Sequence, residues 1–392
     1  MARKKKLYLD YAATTPAAPD VIKAMQPYWS TEFGNSSSLH SFGVQAKKSL
    51  AACRKAVASL LNCLPSEVVF TSGGTESINL ALKGSVQAQK KPKQHIISTV
   101  LEHPATNETL NYLKQKGHAI TRIPCDHDGI VDSKAIIDAI QPSTTLISVI
   151  MAQNEIGTLQ PIAEIGKKLI QINRQRKAKR LPHIAFHADA AQVPSFLAIN
   201  LQKLHVDLLS LDASKTYGPK GIGLLYVRRG TALQPQLLGG GQERSLRSGT
   251  EPVALIAGFA ASLQYVAIMR KRHTHRIQSH RDYMIGRIIK EIPESRLAGH
   301  NTKRLSHIIY IVFANIEGES LVLHLDRAGI AASTGAACST GDSAPSPMMA
   351  ALGLPKRYRG GSLRLSLGYA IRKKDIDHTV IQLKSIITTL RR

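Results

Sequence analysis

The sequence predicts an α/β fold: a large domain on a mostly parallel sheet, joined to a smaller α+β domain. Three observations predict it. Short apolar runs of strand character alternate with amphipathic stretches of helical period up to about residue 255 of the 392. Polar or glycine-bearing motifs follow directly on several of those runs, where an open parallel sheet gathers ligands at its carboxyl edge. Beyond that point the alternation gives way to one long helical stretch and then to isolated strands.

In chain order, strands are predicted at 67–71, 95–99, 146–151, 183–187, 208–211 and 223–227, with helices at 43–61, 76–90, 106–116, 133–140 and 162–175. Short apolar strands separated by such helices run parallel, and the crossover helices cover both faces of the sheet. The later part offers a strand at 306–313, a helix at 320–327, a loop over 333–347 and a strand at 362–367. The predicted division is a large domain over 14–255 and a smaller one formed by 1–13 with 256–392, which carries the loop.

Composition narrows the function classes. Apolar residues make up 43% and charged residues 20%, as in ordinary soluble proteins. No run of about 18 apolar residues suggests a membrane span. The basic start, Met-Ala-Arg-Lys-Lys-Lys, leads straight into Leu7-Tyr-Leu-Asp-Tyr11 without the apolar core of a secretory leader, so a cytoplasmic location is expected. Net charge is +25, from 52 Lys plus Arg against 27 Asp plus Glu. Nonspecific binding of polyanions at low salt follows from that excess alone. Basic density at 174–180, at 270–272 and at both termini fits a solvated surface or a docking surface for RNA or an acidic protein. The four cysteines, Cys53, Cys63, Cys125 and Cys338, are too scattered for a disulfide framework and form no C-x-x-C pair, so no structural metal is expected.

The chemistry-bearing residues sit at the predicted strand ends. In Thr71-Ser-Gly-Gly-Thr75 a strand turns into a helix, and Gly74 with Thr75 offers free N–H groups to a phosphate. The same turn serves equally as a plain strand–helix junction with Thr75 as N-cap. Asp189, in His187-Ala-Asp189, follows a strand and suits the protonated ring nitrogen of pyridoxal phosphate. Lys215, in Asp212-Ala-Ser-Lys215, follows the next strand and suits Schiff-base formation. Either residue alone would read as a surface group; together, beside a phosphate cradle, they point to one crevice. Cys338 lies among small residues, in Ser333-Thr-Gly-Ala-Ala-Cys338, a setting for a reactive thiol rather than a packed one. Arg364 alternates with leucines in Ser362-Leu-Arg-Leu-Ser366, which suits capture of a substrate carboxylate or a structural ion pair.

These motifs, with Tyr8-Leu-Asp-Tyr-Ala-Ala-Thr-Thr-Pro16, Glu102-His103, Asn154-Glu-Ile-Gly157, Gly239-Gly-Gly-Gln-Glu-Arg244 and Arg247-Ser-Gly-Thr250, run nearly end to end. The chain resembles the class I, NifS/IscS-like cysteine desulfurases of the class V aminotransferase superfamily. The resemblance implies the pyridoxal-phosphate fold type I, with the aspartate-aminotransferase-like architecture. It implies that Lys215 carries pyridoxal 5'-phosphate and moves protons, that Asp189 pairs with the ring nitrogen and that His103 stacks on the ring. Asn154 and Gln192 would bond near the ring hydroxyl and the substrate. Gly74, Thr75 and Ser214 would hold the phosphate, with Thr250 of the second subunit, and Asn35 with Arg364 would hold the substrate carboxylate.

The implied reaction takes sulfur from L-cysteine, releases L-alanine and leaves a persulfide on Cys338. The implied assembly is a homodimer with the active site at the subunit interface. A sulfur-acceptor protein, either an iron–sulfur scaffold or a tRNA-thiolation enzyme, would receive the sulfur. No metal serves the cofactor chemistry, although Cys338 would be placed to ligate an iron–sulfur cluster transiently. A selenocysteine lyase, another class V lyase or aminotransferase, and a non-catalytic scaffold are the competing readings.

The sequence departs from the pattern at three places. Where the family carries Ser-Gly/Ala-His-Lys, this chain has Asp212-Ala213-Ser214-Lys215. A carboxylate about 4 Å from a phosphate charge costs on the order of 4 kcal/mol at an effective dielectric near 20. Asp212 is therefore expected to turn away, take up a proton or be offset by cations. Gly34-Asn35-Ser36 replaces Gly-Asn-Pro near the substrate carboxylate, and the sequence stops at Arg392 without the longer tail of some relatives. A tRNA-thiolation partner is thus as fair an expectation as an iron–sulfur scaffold.

Overall fold

The computed structural model describes residues 6–335 and 347–391; Cys338 lies outside the described residues. In chain order the elements are β1 (Leu7–Tyr8), α1 (Pro19–Met25), α2 (Pro27–Ser30), α3 (Ser41–Leu61), β2 (Val68–Thr71), α4 (Gly74–Ala88), β3 (His95–Thr99) and α5 (Pro104–Gln115). There follow β4 (Ala119–Ile123), α6 (Ser133–Asp138), β5 (Thr144–Ile150), α7 (Ile162–Ala178), β6 (Ala185–Asp189), α8 (Leu201–Leu204), β7 (Leu208–Asp212) and β8 (Gly223–Val227). The later part contains α9 (Val253–Glu291), β9 (Ser295–Leu297), β10 (Ile308–Phe313), α10 (Gly318–Arg327), β11 (Ile330–Ala331), α11 (Pro347–Ala351), β12 (Ser362–Ser366) and α12 (Lys373–Leu390).

Seven strands form one sheet in the order β2-β8-β7-β6-β5-β3-β4. The pairs β3/β4, β3/β5, β5/β6 and β6/β7 are parallel, and β8 runs against both of its neighbours. Two successive reversals leave β2 pointing the same way as β7, so β2, β3, β5, β6 and β7 all present their carboxyl ends at one edge. Both faces of the sheet are buried. Val69, Ile96, Leu146 and Leu208 pack with α4 and α5, whereas Phe70, Ile97, Ile147 and Leu209 join the larger core on the other face. This period-two split of continuously apolar runs is what a doubly covered parallel sheet requires. Each such aliphatic side chain contributes about 1.5–3 kcal/mol when fully buried.

A three-stranded antiparallel sheet, β12-β10-β9, and the two-stranded pair β1-β11 come largely from the C-terminal part of the chain. In the seven-stranded sheet, predicted and observed strands agree closely except at β4; the short strands β1, β9 and β11 and the helices α1, α2, α8, α11 and α12 were not predicted either. β4 is an edge strand whose residues are mostly half-exposed, so it lacks the apolar run that marks its neighbours. No uninterrupted run of 18 apolar residues was expected, and α9, although interrupted by Ser262 and Gln264, holds a stretch long and apolar enough to cross a membrane by length and composition. Much of that stretch, 56%, is buried in the protein, and α9 packs on α1, α3 and α12.

Two buried polar side chains tie the central strands. His187 on β6 meets Ser148 Oγ on β5 and Ser210 Oγ on β7, each at 2.9 Å, and burial lowers its pKa to about 3. Glu102, just past β3, takes hydrogen bonds through Oε1 from Thr99 Oγ1 at 2.7 Å and from the Ile150 N–H of β5 at 3.0 Å. Its Oε2 is buried without a partner, and burial pushes its pKa up to about 8. The folded state therefore keeps a proton that the unfolded chain releases in the ordinary carboxylate range. Stability falls as pH rises from that range towards 8, by up to about 1.4 kcal/mol per pH unit. We expect Glu102→Gln to remove this component: its urea midpoint should differ less between pH 5 and pH 8 than that of the wild type. An unchanged difference would place the titrating group elsewhere.

Candidate active site

The aligned strand ends open on a cavity of about 300 Å³. Gly74, Thr75, His103, Asn154, Asp189, Gln192, Asp212, Lys215, Gly335 and Arg364 line it. Eight of the residues singled out in the sequence are thus brought together from six separate segments. The geometry follows from local chain behaviour. β6 ends on Asp189 itself, β7 ends on Asp212, and a single 3₁₀ turn, Ala213–Lys215, then points Lys215 into the space between them. Gly223 at the start of β8 lies against the Gly73 backbone, where a Cβ would come within 2.5 Å. Only glycine permits that approach, and it fixes the turn that begins α4.

Asp189 is 5% exposed and accepts from the Ala191 N–H at 3.0 Å. Burial raises its proton affinity, and the nearby His103 and Lys215 oppose the rise. Lys215 Nζ donates to the Ala13 carbonyl. His103 caps α5: its Nδ1 accepts from the Ala105 N–H at 3.1 Å. Burial lowers its pKa, with Asp189 opposing, so the ring is neutral and carries its proton on Nε2. Gln192 Nε2 donates to the Ala12 carbonyl at 2.9 Å, which orients the amide at the cavity wall.

Arg364 forms an ion pair and also lines the cavity. Its Nη2 pairs with Asp10 Oδ1 at 2.9 Å and Nη1 donates to the Asn154 carbonyl at 3.0 Å, while Nε is buried without a partner. It is a structural ion pair and a cavity cation at once. Backbone bonds between Ser333 and Arg364, at 2.7 and 3.2 Å, hold the segment that leads towards Cys338 beside this guanidinium. Ser362 Oγ and Tyr310 OH both donate to the Thr334 carbonyl.

The start of α4 differs from expectation. The helix begins at Gly74, its N-cap is Gly73, and Thr75 lies in the first turn rather than at the cap. Asp212 supplies the missing acceptor. Its Oδ2 takes the Gly74 N–H at 3.0 Å and its Oδ1 takes the Ser214 N–H at 2.8 Å. The Asp212 carboxylate does not turn away; it faces the helix end. The sequence holds no local signal for this contact, since Gly74 and Asp212 are 138 positions apart. Ser214 does not line the cavity.

Two sequence-predicted residues lie elsewhere. Asn35 and Thr250 are exposed and share a second cavity of about 250 Å³, with Trp29, Phe33 and Glu251. Ser36 Oγ donates to Glu251 Oε2 at 2.8 Å and joins the two segments. Asp10 and Glu102 support the site without having been assigned to it; each lies inside a recognised motif, and that was the available signal. Among the described cysteines, burial raises the pKa of Cys53, Cys63 and Cys125, that of Cys63 to about 12, which keeps these thiols protonated and unreactive.

The cavity suits pyridoxal phosphate at the ring. A buried carboxylate with raised proton affinity seeks a cation such as a protonated ring nitrogen, and an amine faces it across the cavity. At the phosphate end the fit is incomplete, because Asp212 already holds the Gly74 N–H.

The family described as aminotransferase class-V matches residues 7–379. The cysteine desulfurase IscS of Dictyoglomus turgidum is 40% identical over 388 residues, covering 99% of this chain and 96% of that protein. A solved NifS-like protein superposes with a TM-score of 0.90 at 30% identity, over 98% of this chain and all of the other. The structure described as SspA in complex with cysteine gives a TM-score of 0.80 at 31% identity, over 93% of this chain and 99% of its own. Matched along nearly its whole length, the chain belongs to the aminotransferase class-V family, whose members share pyridoxal-phosphate fold type I.

Proposed function

We propose that this protein is a pyridoxal-phosphate-dependent cysteine desulfurase that passes sulfur to Cys338. One observation carries the reading: Lys215, Asp189, His103 and Arg364 line a single cavity, together with Gly335, three residues before Cys338 in the sequence. The cofactor, when bound, supplies an electron sink for the substrate's amine-bearing carbon. Lys215 Nζ would hold it covalently and move protons at the substrate. Asp189 would hold the proton of the ring nitrogen, and an ion pair there would offset the desolvation of its carboxylate. Neutral His103 would cover one ring face and offer the Nε2 proton. Asn154 and Gln192 would orient the ring hydroxyl and the substrate.

Arg364 would bind the carboxylate of L-cysteine, with Asn35 assisting. Gly74 and Thr75 would hold the phosphate, joined by Thr250 of the partner subunit. Support for a homodimer with a shared site comes from the separate placement of Asn35 and Thr250, in a cavity that exposed Trp29 (62%) and Phe33 (64%) also line. Exposed aromatic side chains grouped in this way fit an association face.

Cys338 would attack the sulfur of L-cysteine. The new bond joins its Sγ to that sulfur, the carbon–sulfur bond breaks, and the carbon keeps the pair, gains a proton and leaves as L-alanine. A sulfur-acceptor protein, serving iron–sulfur assembly or tRNA thiolation, would then take the persulfide sulfur. Free thiols at Cys53, Cys63 and Cys125 suit a reducing, cytoplasmic setting. The basic stretch at 174–180 is a smaller polyanion surface than its composition suggests. Arg176 is buried and donates to the carbonyls of Gln141, Pro142, Thr144 and Pro182.

A scaffold without cofactor is the second reading, and Asp212 at the phosphate end is the observation that favours it. Absorbance titration with pyridoxal phosphate, followed by L-cysteine, separates the two. The enzyme reading expects a band that shifts with L-cysteine and is absent in Lys215→Ala; no band in the wild type would favour the scaffold. Cys338→Ser should keep the band yet lose alanine formation by at least about a thousandfold. Undiminished turnover in Cys338→Ser would point instead to a lyase that releases its product freely. Arg364→Lys should raise KM for L-cysteine about tenfold or more, with a smaller change in kcat, because a point ammonium cannot bind a carboxylate in bidentate fashion.

A further inference from the structure

Of the charged side chains among the described residues lining the cavity, Asp212 is the one that the proposed reaction does not use. Its carboxylate bridges two backbone donors, the Gly74 N–H at the start of α4 and the Ser214 N–H beside Lys215. α4 runs for fifteen residues with its first turn at the cavity, and Gly73 brings no side chain to cap it. The positive end of that helix attracts an anion. The chain provides one from β7. The packing is close, since a Cβ on Gly74 would lie 3.2 Å from Asp212 Oδ2.

The cation on the first turn of α4 is already spent. Glu76, also in that turn, accepts from the Ser72 N–H at 2.7 Å. Its partner Arg247 sits 3.0 Å away, so that guanidinium is paired with a carboxylate. A dianionic phosphate entering here would meet Asp212 across the donors it needs and would find Ser72 and Gly74 already engaged.

We propose that Asp212 stands in for the cofactor phosphate in the cofactor-free protein and is the residue that sets how strongly the site prefers a phosphorylated cofactor. Carboxylate and phosphate compete for the Gly74 N–H, and loading is an exchange of one anion for the other. Two opposite effects follow. The free protein is self-capped and stable without cofactor, and the phosphate group adds less affinity than it would beside a hydroxyl. This inference rests on the reading that the cavity takes pyridoxal phosphate.

The test uses full-length protein freed of cofactor, as wild type, Asp212→Ser and Asp212→Asn. Asparagine keeps the side-chain volume and one acceptor, so it folds if the serine variant does not. Each protein is titrated with pyridoxal phosphate and, separately, with pyridoxal, and the cofactor-free melting temperature is recorded. Both variants should bind pyridoxal phosphate at least about tenfold more tightly than the wild type, with pyridoxal affinity unchanged. Both should also melt at a lower temperature when free, because α4 has lost its charged cap. Pyridoxal phosphate bound equally well by all three proteins would overturn the inference alone, as would an equal gain for pyridoxal. Uptake of neither compound by any of them would overturn the cofactor reading and this inference with it.

Discussion

Everything at this site depends on placing one carboxylate, Asp189, at the buried end of the central strand β6. Such a group is costly to desolvate, and its raised proton affinity records that cost. The fold tolerates it because the neighbouring strand ends bring Lys215 and His103 to the same edge. The parallel order of β3, β5, β6 and β7 puts their carboxyl ends in register, and the reversal at β8 returns β2 to the same direction. A sheet with alternating strand directions would scatter these residues over two edges. The need to gather polar groups around Asp189 and the topology of the sheet are therefore one constraint.

The electrostatics inside the cavity run against those of the whole molecule. The chain carries a net charge of +25, yet two carboxylates, Asp189 and Asp212, share the cavity with Lys215 and Arg364. Arg364 in turn spends one arm on Asp10. The cavity is balanced locally, and its specificity owes little to the basic surface. The surface charge acts at longer range, on encounter with anionic partners, and salt weakens it.

Much of this was legible in the sequence, for identifiable reasons. β2, β3, β5, β6, β7 and β8 are continuous apolar runs because both faces of the sheet are covered, so their positions and the polar residues that close them could be read directly. His103, Asp189 and Lys215 were found because each follows such a run. β4 was missed because an edge strand with exposed and half-exposed positions has no such run. The capping of α4 by Asp212 joins segments far apart in the chain, and no local pattern encodes it; the departure from Ser to Asp signalled a conflict but not its geometry. Arg364 was legible as a cation among leucines, whereas its division between Asp10 and the cavity needed the fold. Asn35 lies apart from Lys215 within one chain, which a one-chain reading of motifs does not anticipate; Thr250, expected from the second subunit, lies apart as well.

The most direct test of the account is the chemical fate of sulfur in a single turnover. The full-length protein, loaded with pyridoxal phosphate and freed of reductant, is mixed with one equivalent of L-cysteine and analysed by peptide mass spectrometry. The account predicts that the peptide containing Cys338 gains one sulfur atom in proportion to the alanine formed, while Cys53, Cys63 and Cys125 gain none. Alanine produced without sulfur on Cys338, or no alanine from cofactor-loaded protein, would contradict it.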